Sequence, residues 1–236
     1  MKFSVPIFTL KRRARAMARQ DAIPLHQALD IIARQEGFAR WSLLAARYQA
    51  TRSDTGLAHA LEPGDLVLVA ARPGHGKTLL ALDALAAHVK SGGSGAIFSL
   101  EETAAGLARY LARLGYDADA LAPGLQCCVE DDIDAGRIIA WMRAAPRGSV
   151  VVIDYLQLLD QRRATPPLNQ QVTALKAAAA DCGSIVLCIS QVNRAFELAP
   201  HKMPDLPDVR LPNPLDLSLF SKHVFLSDAE VEIRAA

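Results

Sequence analysis

From residue 56 onward, short and nearly continuous apolar runs alternate with longer stretches whose apolar positions recur every three or four residues. The short runs lie at 66–71, 95–99, 125–129, 149–153, 185–190 and 223–227. Apolar side chains on both faces of a strand are what a sheet covered on both sides demands. The longer stretches, at 77–90, 102–115, 134–145 and 169–181, carry the helical repeat. Their alternation predicts an α/β domain with a mostly parallel central sheet. Residues 9–48 read differently, as three short helices. Leu10, Ala14, Met17 and Ala18 mark one apolar face. Leu25, Ala28, Leu29, Ile32 and Ala33 follow Pro24, and Phe38, Trp41, Leu44 and Ala45 follow Gly37. The polar, Gly- and Pro-bearing stretch 51–64 separates the two patterns. The expected organisation is therefore a basic helical module over 1–55 and an α/β domain over 56–236. Five prolines within 196–214 predict an extended loop there.

Composition narrows the class. Apolar residues make up 51% of the 236, ample for a buried core. No apolar run approaches the roughly 20 residues of a membrane span. The apolar stretch at Val5–Leu10 is too short for a signal peptide and runs into Arg-rich sequence. A cytoplasmic protein without a membrane contact is expected. The net charge of +1 conceals an asymmetry. Residues 1–55 carry ten Lys/Arg against four Asp/Glu, and residues 56–236 carry sixteen against twenty-one. A basic segment on a mildly acidic body suits an anionic partner such as nucleic acid, or simply the solvated face of helices. Cys127, Cys128, Cys182 and Cys188 form no Cys-x-x-Cys pair and have no His at ligand spacing, so buried free thiols are expected rather than a zinc site.

The chemistry concentrates at Ala71-Arg-Pro-Gly-His-Gly-Lys-Thr78, between the strand-like run 66–71 and the helix-like run from Leu79. Ala71 stands where the usual phosphate-loop pattern begins with Gly, but the Gly-His-Gly-Lys-Thr end carries most phosphate contacts. Gly74 and Gly76 let backbone N–H groups turn inward around phosphate oxygens. The following helix N-terminus adds partial positive charge. Lys77 can reach the β- and γ-phosphates, and the Thr78 hydroxyl can ligate Mg²⁺. Arg72, Pro73, Gly74, His75, Gly76, Lys77, Thr78 and Leu79 are the candidate ATP-binding residues.

Three further strand ends carry polar groups. Ser149-Val-Val-Val-Ile-Asp154 places a carboxylate where ligands of parallel sheets gather. Asp154 would hold Mg²⁺ beside Thr78. After Ile97-Phe98-Ser99-Leu100 comes Glu101 and then Glu102, and either can orient and deprotonate an attacking water. Ile185-Val-Leu-Cys-Ile-Ser-Gln191 ends in an amide able to sense a γ-phosphate.

The set taken in order resembles a known family. Ala70-Ala-Arg-Pro-Gly-His-Gly-Lys-Thr78, Phe98-Ser-Leu-Glu101, Val152-Ile-Asp-Tyr-Leu-Gln-Leu-Leu159 and Ser190-Gln-Val-Asn-Arg194 are similar to motifs of the C-terminal, RecA-like motor domain of DnaB-type replicative helicases. Asn169-Gln-Gln-Val-Thr-Ala-Leu-Lys176 resembles the helix before the family's next strand, and the similarity spans about 57–227. It implies a RecA-like P-loop fold and an ATP hydrolase of helicase type in DNA replication or repair. Glu101 becomes the catalytic base, with Lys77 and Gln191 completing the catalytic set and ATP and Mg²⁺ as ligands. It also implies loops near 161–168 and 192–213 facing single-stranded DNA, with Arg162, Arg163, Arg194, Lys202 and Arg210 as candidate phosphate contacts. A homo-hexamer is implied, with an arginine finger supplied in trans from a basic, Gly-containing turn. The chain departs from the family in three places. The first 55 residues are too short for the family's N-terminal domain, and resemble instead a short bacterial module with Gly37-Phe-x-x-Trp41. The Pro-rich loop replaces a Gly/Ser-containing one. The turn Ser227-Asp-Ala-Glu230 is acidic, and Arg234 is the only basic residue near it. A helicase partner supplying the finger, or a nucleotide-dependent regulatory or accessory protein without autonomous unwinding, is the alternative expectation.

Overall fold

The computed structural model describes residues 7–45, 47, 56–100, 103–129, 133–160, 165–198, 203–211, 213–227 and 230–236. The chain divides into two units, one of residues 1–55 with 227–231 and one of 56–226 with 232–236.

In the first unit, α1 (Ile7–Gln20) and α2 (Leu25–Gln35) are followed by a helical segment over 41–45. Pro24 precedes α2 with φ −57°, close to the value its ring imposes. Gly37, at φ 84°, ends the turn after it. Leu10, Ala14, Ala28, Ile32, Ala33 and Leu44 form the core, with Met17, Leu29, Phe38 and Trp41 packed against it. The Asp30 carboxylate accepts the Trp41 N–H at 2.8 Å, which fixes the start of the last segment against α2.

Among the described residues the sheet has seven strands, drawn from the second unit except for residues 227, 230 and 231: β1 (Leu66–Ala71), β2 (Gly95–Ser99), β3 (Leu125–Cys128), β4 (Val150–Asp154), β5 (Ile185–Gln191), β6 (Lys222–Ser227) and β7 (Glu230–Ala235). Their order is β3-β2-β4-β5-β1-β6-β7. The pairs β2·β3, β2·β4, β4·β5, β1·β5 and β1·β6 are all parallel, so the sheet is mostly parallel as the alternating pattern requires. Four long helices cover it: α3 (Lys77–Lys90), α4 (Ala104–Leu114), α5 (Ala135–Ala144) and α6 (Leu168–Cys182). Leu66, Leu68, Ala70, Val151, Ile153, Val186 and Cys188 share a core with Ile138 and Met142 of α5 and Val172 and Leu175 of α6. Strand periodicity then turns the alternate residues, Val69, Val152, Asp154, Ile189 and Gln191 among them, toward the side where α3 packs.

Buried polar groups pin these layers. Gln171 of α6 accepts the Ala135 N–H at 3.0 Å and donates to the Leu159 and Pro166 carbonyls, joining the start of α5 to the segment after β4. Asp65, at the other end of β1 from the candidate phosphate loop, accepts from Lys222 and Ser221 and from the Glu62 N–H. Burial opposes ionisation of Asp65, but these donors outweigh it and hold the carboxyl below its ordinary value.

Two sequence expectations change. The stretch 196–214 is not simply an extended loop. It contains short 3-10 turns at Arg194–Leu198 and Leu206–Asp208, the second closed by a reciprocal Asp205/Asp208 capping box with Pro207 inside it. The cysteines are not all buried: Cys188 is, whereas Cys127, Cys128 and Cys182 are partly exposed. Burial pushes the Cys188 thiol well above its ordinary value. Among the described residues no helix is long and apolar enough to cross a membrane.

Candidate active site

β1 ends at Ala71, in register with Gln191 at the end of β5. Pro73 and Gly74 then form a turn, with His75 N–H donating to the Arg72 carbonyl at 3.2 Å. Gly74 and Gly76 both have φ 83°, a left-handed conformation that a β-carbon penalises. A β-carbon on Gly74 would meet nothing within 4 Å, so conformation rather than crowding calls for glycine there. Helix α3 begins at Lys77, and no side chain caps it. Its first-turn N–H groups therefore remain as donors for an anion. No hydrogen bond or ion pair among the described residues holds the Lys77 ammonium.

Thr78 donates its hydroxyl to Asp154 Oδ2 at 2.9 Å. The two residues come from the first turn of α3 and the end of β4, and Asp154 is only 4% exposed. Ser99, fully buried at the end of β2, is in register with Asp154. Sequence reasoning assigned Ser99 no role; its signal was the position at the same strand end that precedes Glu101. Two neighbouring oxygens, one of them an acidic carboxylate, suit a hard cation such as Mg²⁺. Glu101 and Glu102 lie outside the described residues.

The segment beyond β5 folds back onto it. Val192 and Val209 form an antiparallel bridge, Asn193 N–H donates to the Asp208 carbonyl at 2.8 Å, and Arg210 N–H donates to the Gln191 carbonyl at 2.7 Å. Arg72, at the start of the loop after β1, donates from Nη1 to the Arg194 carbonyl at 3.1 Å. Gln157 donates to the Arg210 carbonyl at 2.9 Å. Tyr155, Gln157, Gln191 and Arg210 line a cavity of ≈190 Å³, and Gln157 Oε1 is buried there without a partner among the described residues. Gln191, three residues along the chain from Arg194, is thus brought to one cavity with Arg210, and both arginines are exposed. Arg162, Arg163 and Lys202 lie outside the described residues.

Arg234 sits in β7 and is closely held. It donates to Glu232 at 2.8 and 3.1 Å and to Asp205 at 2.8 Å, and its guanidinium lies 5.2 Å from the centre of the Phe225 ring. The Glu232 hydrogen bonds, then the surrounding acids, raise its already high pKa further.

A family model, the DnaB-like helicase C terminal domain, matches residues 54–117 and 131–213. The chain belongs to this family. The replicative DNA helicase DnaB of Leifsonia xyli subsp. xyli is 32% identical over 190 residues, covering 65% of this chain and 40% of the relative. That of Rhodothermus marinus is 30% identical over 181 residues, covering 62% of this chain and 19% of the relative. The DnaB-like chain thus spans less than half the length of either relative.

Solved structures agree on the fold. A DnaB-like replicative helicase, described with its interactions with primase, superposes with a TM-score of 0.60 at 17% identity, over 98% of this chain and 74% of that one. An isolated ATPase domain gives 0.57 at 20% identity over 78% and 81%. A KaiC-like protein, PH0186 of Pyrococcus horikoshii OT3, gives 0.52 at 16% over 74% and 83%. The second unit is a RecA-like ATPase fold. Its membership of the DnaB-like family makes it helicase-like.

Proposed function

We propose that the DnaB-like domain binds ATP with Mg²⁺ at residues 72–79 and hydrolyses it to ADP and phosphate while acting on or with single-stranded DNA. The observation that carries this reading is the 2.9 Å contact between Thr78 and Asp154, which joins the loop after β1 to the end of β4. Arg72, Pro73, Gly74, His75, Gly76 and Leu79 shape the phosphate cradle. Lys77 neutralises the β- and γ-phosphates, and Thr78 and Asp154 hold the cation. Bound Mg²⁺ would offset phosphate charge and orient the oxygens it touches. Glu101 takes the proton of the attacking water, and Gln191 contacts the terminal phosphate. Arg194 and Arg210, with Arg162, Arg163 and Lys202, contact DNA phosphates without reading sequence. The reading places the protein in replication or repair, as a homo-oligomer on the hexameric plan of the family.

The state of Arg234 favours a second reading alongside the first. A finger in trans must extend from its own subunit to reach a neighbour's phosphate. Arg234 is instead bonded to Glu232 and Asp205 of its own chain. On this reading the protein is a regulatory or accessory member that takes a finger from a helicase partner, and its own turnover is slow.

The test is steady-state ATP hydrolysis with and without single-stranded DNA, with Lys77→Ala as control. Stimulation by DNA that disappears in the variant supports the motor. ATP binding with negligible turnover in both conditions contradicts it and leaves the accessory reading.

A further inference from the structure

We propose that the outer face of α1 is a second, independent nucleic-acid-binding surface, in which Arg12, Arg15 and Arg19 hold the phosphate backbone. The inference is built wholly from the N-terminal unit and does not rest on the nucleotide site.

The inner face of α1 is settled by packing. Leu10 and Ala14 are 1% and 0% exposed, buried against Ala28, Ile32, Ala33 and Leu44. At about 100° of helical rotation per residue, Arg12, Arg15 and Arg19 fall within an arc of roughly 60° on the opposite side. All three are exposed, and exposed Arg13 flanks them. Among the described residues, none of the four has a hydrogen bond or ion pair.

The described neighbouring elements leave this charge uncompensated. The sequence of α1, Ile7 to Gln20, contains no acidic residue. Asp30 of α2 is already accepting the Trp41 N–H at 2.8 Å. Glu36, and Glu230 of the 227–231 segment grouped with this unit, are each engaged in an interaction of their own. Asp21 follows the last turn of α1 two residues after Arg19, a spacing at which helical side chains do not face each other. Exposed Arg34 and Arg40 add further positive charge to the unit. Like charges three and four residues apart weaken a helix, as Arg12 with Arg15 and Arg15 with Arg19 do here. A core-forming helix gains nothing from that arrangement, whereas a polyanion relieves it.

The geometry selects the kind of polyanion. Arg12 and Arg19 are separated by about 10 Å along the helix axis. Nucleic-acid phosphates recur at about 3.4 Å of rise per strand, so the stripe spans roughly three of them. Guanidinium forks pair with phosphate oxygens in two-pronged fashion. An anionic membrane is a poorer fit. Helices that lie on membranes insert an apolar face, and that face of α1 is buried in the unit's own core. Between Arg12 and Arg19 the sequence has no aromatic residue, so the contact made by these three arginines is to backbone and not to stacked bases.

The experiment uses the full chain without nucleotide. Binding of labelled oligo(dT) and of a labelled duplex is followed across a salt series for the wild type and for Arg12→Gln/Arg15→Gln/Arg19→Gln. Glutamine keeps the helix propensity, and the melting temperature checks that the fold survives. A charge-reversed Arg12→Glu/Arg15→Glu/Arg19→Glu protein provides a second variant. The proposal expects at least a roughly tenfold weaker affinity at low salt in the Gln variant. It also expects a log–log salt slope shallower by about two for the single strand, from three lost phosphate contacts. The reversed variant should lose more. Unchanged affinity and slope in folded variants overturn the proposal, as does a wild type that binds no DNA. So does wild-type binding to phosphatidylserine vesicles that the variants lose while their DNA binding stays. ATP binding measured on the same preparations separates the two readings, because a protein that binds DNA through α1 but not ATP contradicts only the nucleotide site.

Discussion

Lys77 and Arg234 are both cations placed by the sheet of the RecA-like unit, and the fold treats them in opposite ways. Lys77 opens α3, beside two left-handed glycines and an uncapped helix end, and no acidic group in the described residues neutralises it. Arg234 lies in β7 and is matched by Glu232, Asp205 and the face of Phe225. A positive charge left without such a partner beside open N–H donors is arranged for an anion that arrives later. A positive charge held by several hydrogen bonds is already part of the structure. Lys222 extends the contrast. It is bound to Asp65 and Glu62 at the far end of β1, so one strand has a neutralised cation at its start and an open one beyond its finish.

Removing the open cation should have the largest effect. Lys77→Ala is expected to lower ATP turnover by about 10³-fold, the scale of losing a preorganised charge stabiliser, with little change in melting temperature. Equal turnover in the variant would break the contrast at once. Asp154→Asn comes next, with a fall of about 10²-fold and a raised Mg²⁺ requirement, read from activity against magnesium concentration.

The engaged cations should register in stability. Lys222→Met leaves buried Asp65 short of a charged donor and should cost about 2 kcal/mol in denaturant unfolding, without affecting ATP binding. Its pH dependence follows from the direction of the Asp65 shift. Because the folded-state value lies below the unfolded one, this stabilisation is full above the unfolded value near about 3.9. It disappears as pH falls through the folded value. Lys222→Met should therefore flatten the acid limb of the stability curve, and an unaltered limb would remove Asp65 from the account. Arg234→Met should have the smallest effect. Its pairs are 35–55% exposed, so a loss of about 1 kcal/mol is expected, a fall of roughly 2–4 °C in melting temperature. Basal ATP turnover should not change. A drop in turnover that scales with oligomer formation would show that Arg234 leaves its partners and acts as the finger.

Much of the fold was legible because the strands are buried on both faces. Val150–Asp154 and Leu66–Ala71 need continuous apolar sequence, and that sequence has little else to become. β7 was missed for the converse reason. Glu230-Val-Glu-Ile-Arg-Ala235 alternates and is partly exposed, and its Glu230 was read as the end of a turn. The 3-10 turns around Pro207 were missed because proline count signals irregularity without saying which turn forms.

The candidate site was legible as residue types and not as contacts. Gly-Lys-Thr and the strand-end aspartate stand 76 positions apart, and only folding brings Thr78 to Asp154. No local pattern could reveal that Arg72 would reach the Arg194 carbonyl, 122 positions away. Nor could sequence show that Arg234 would be claimed by Asp205, since that depends on where the segment after β5 returns.

Equilibrium binding of a fluorescent ATP analogue to the wild type and to Lys77→Ala, with and without Mg²⁺, tests the central claim most directly. The account predicts saturable binding to the wild type that weakens without Mg²⁺ and is lost in the folded variant. Binding that is equal in the two proteins, or absent from both, would contradict it.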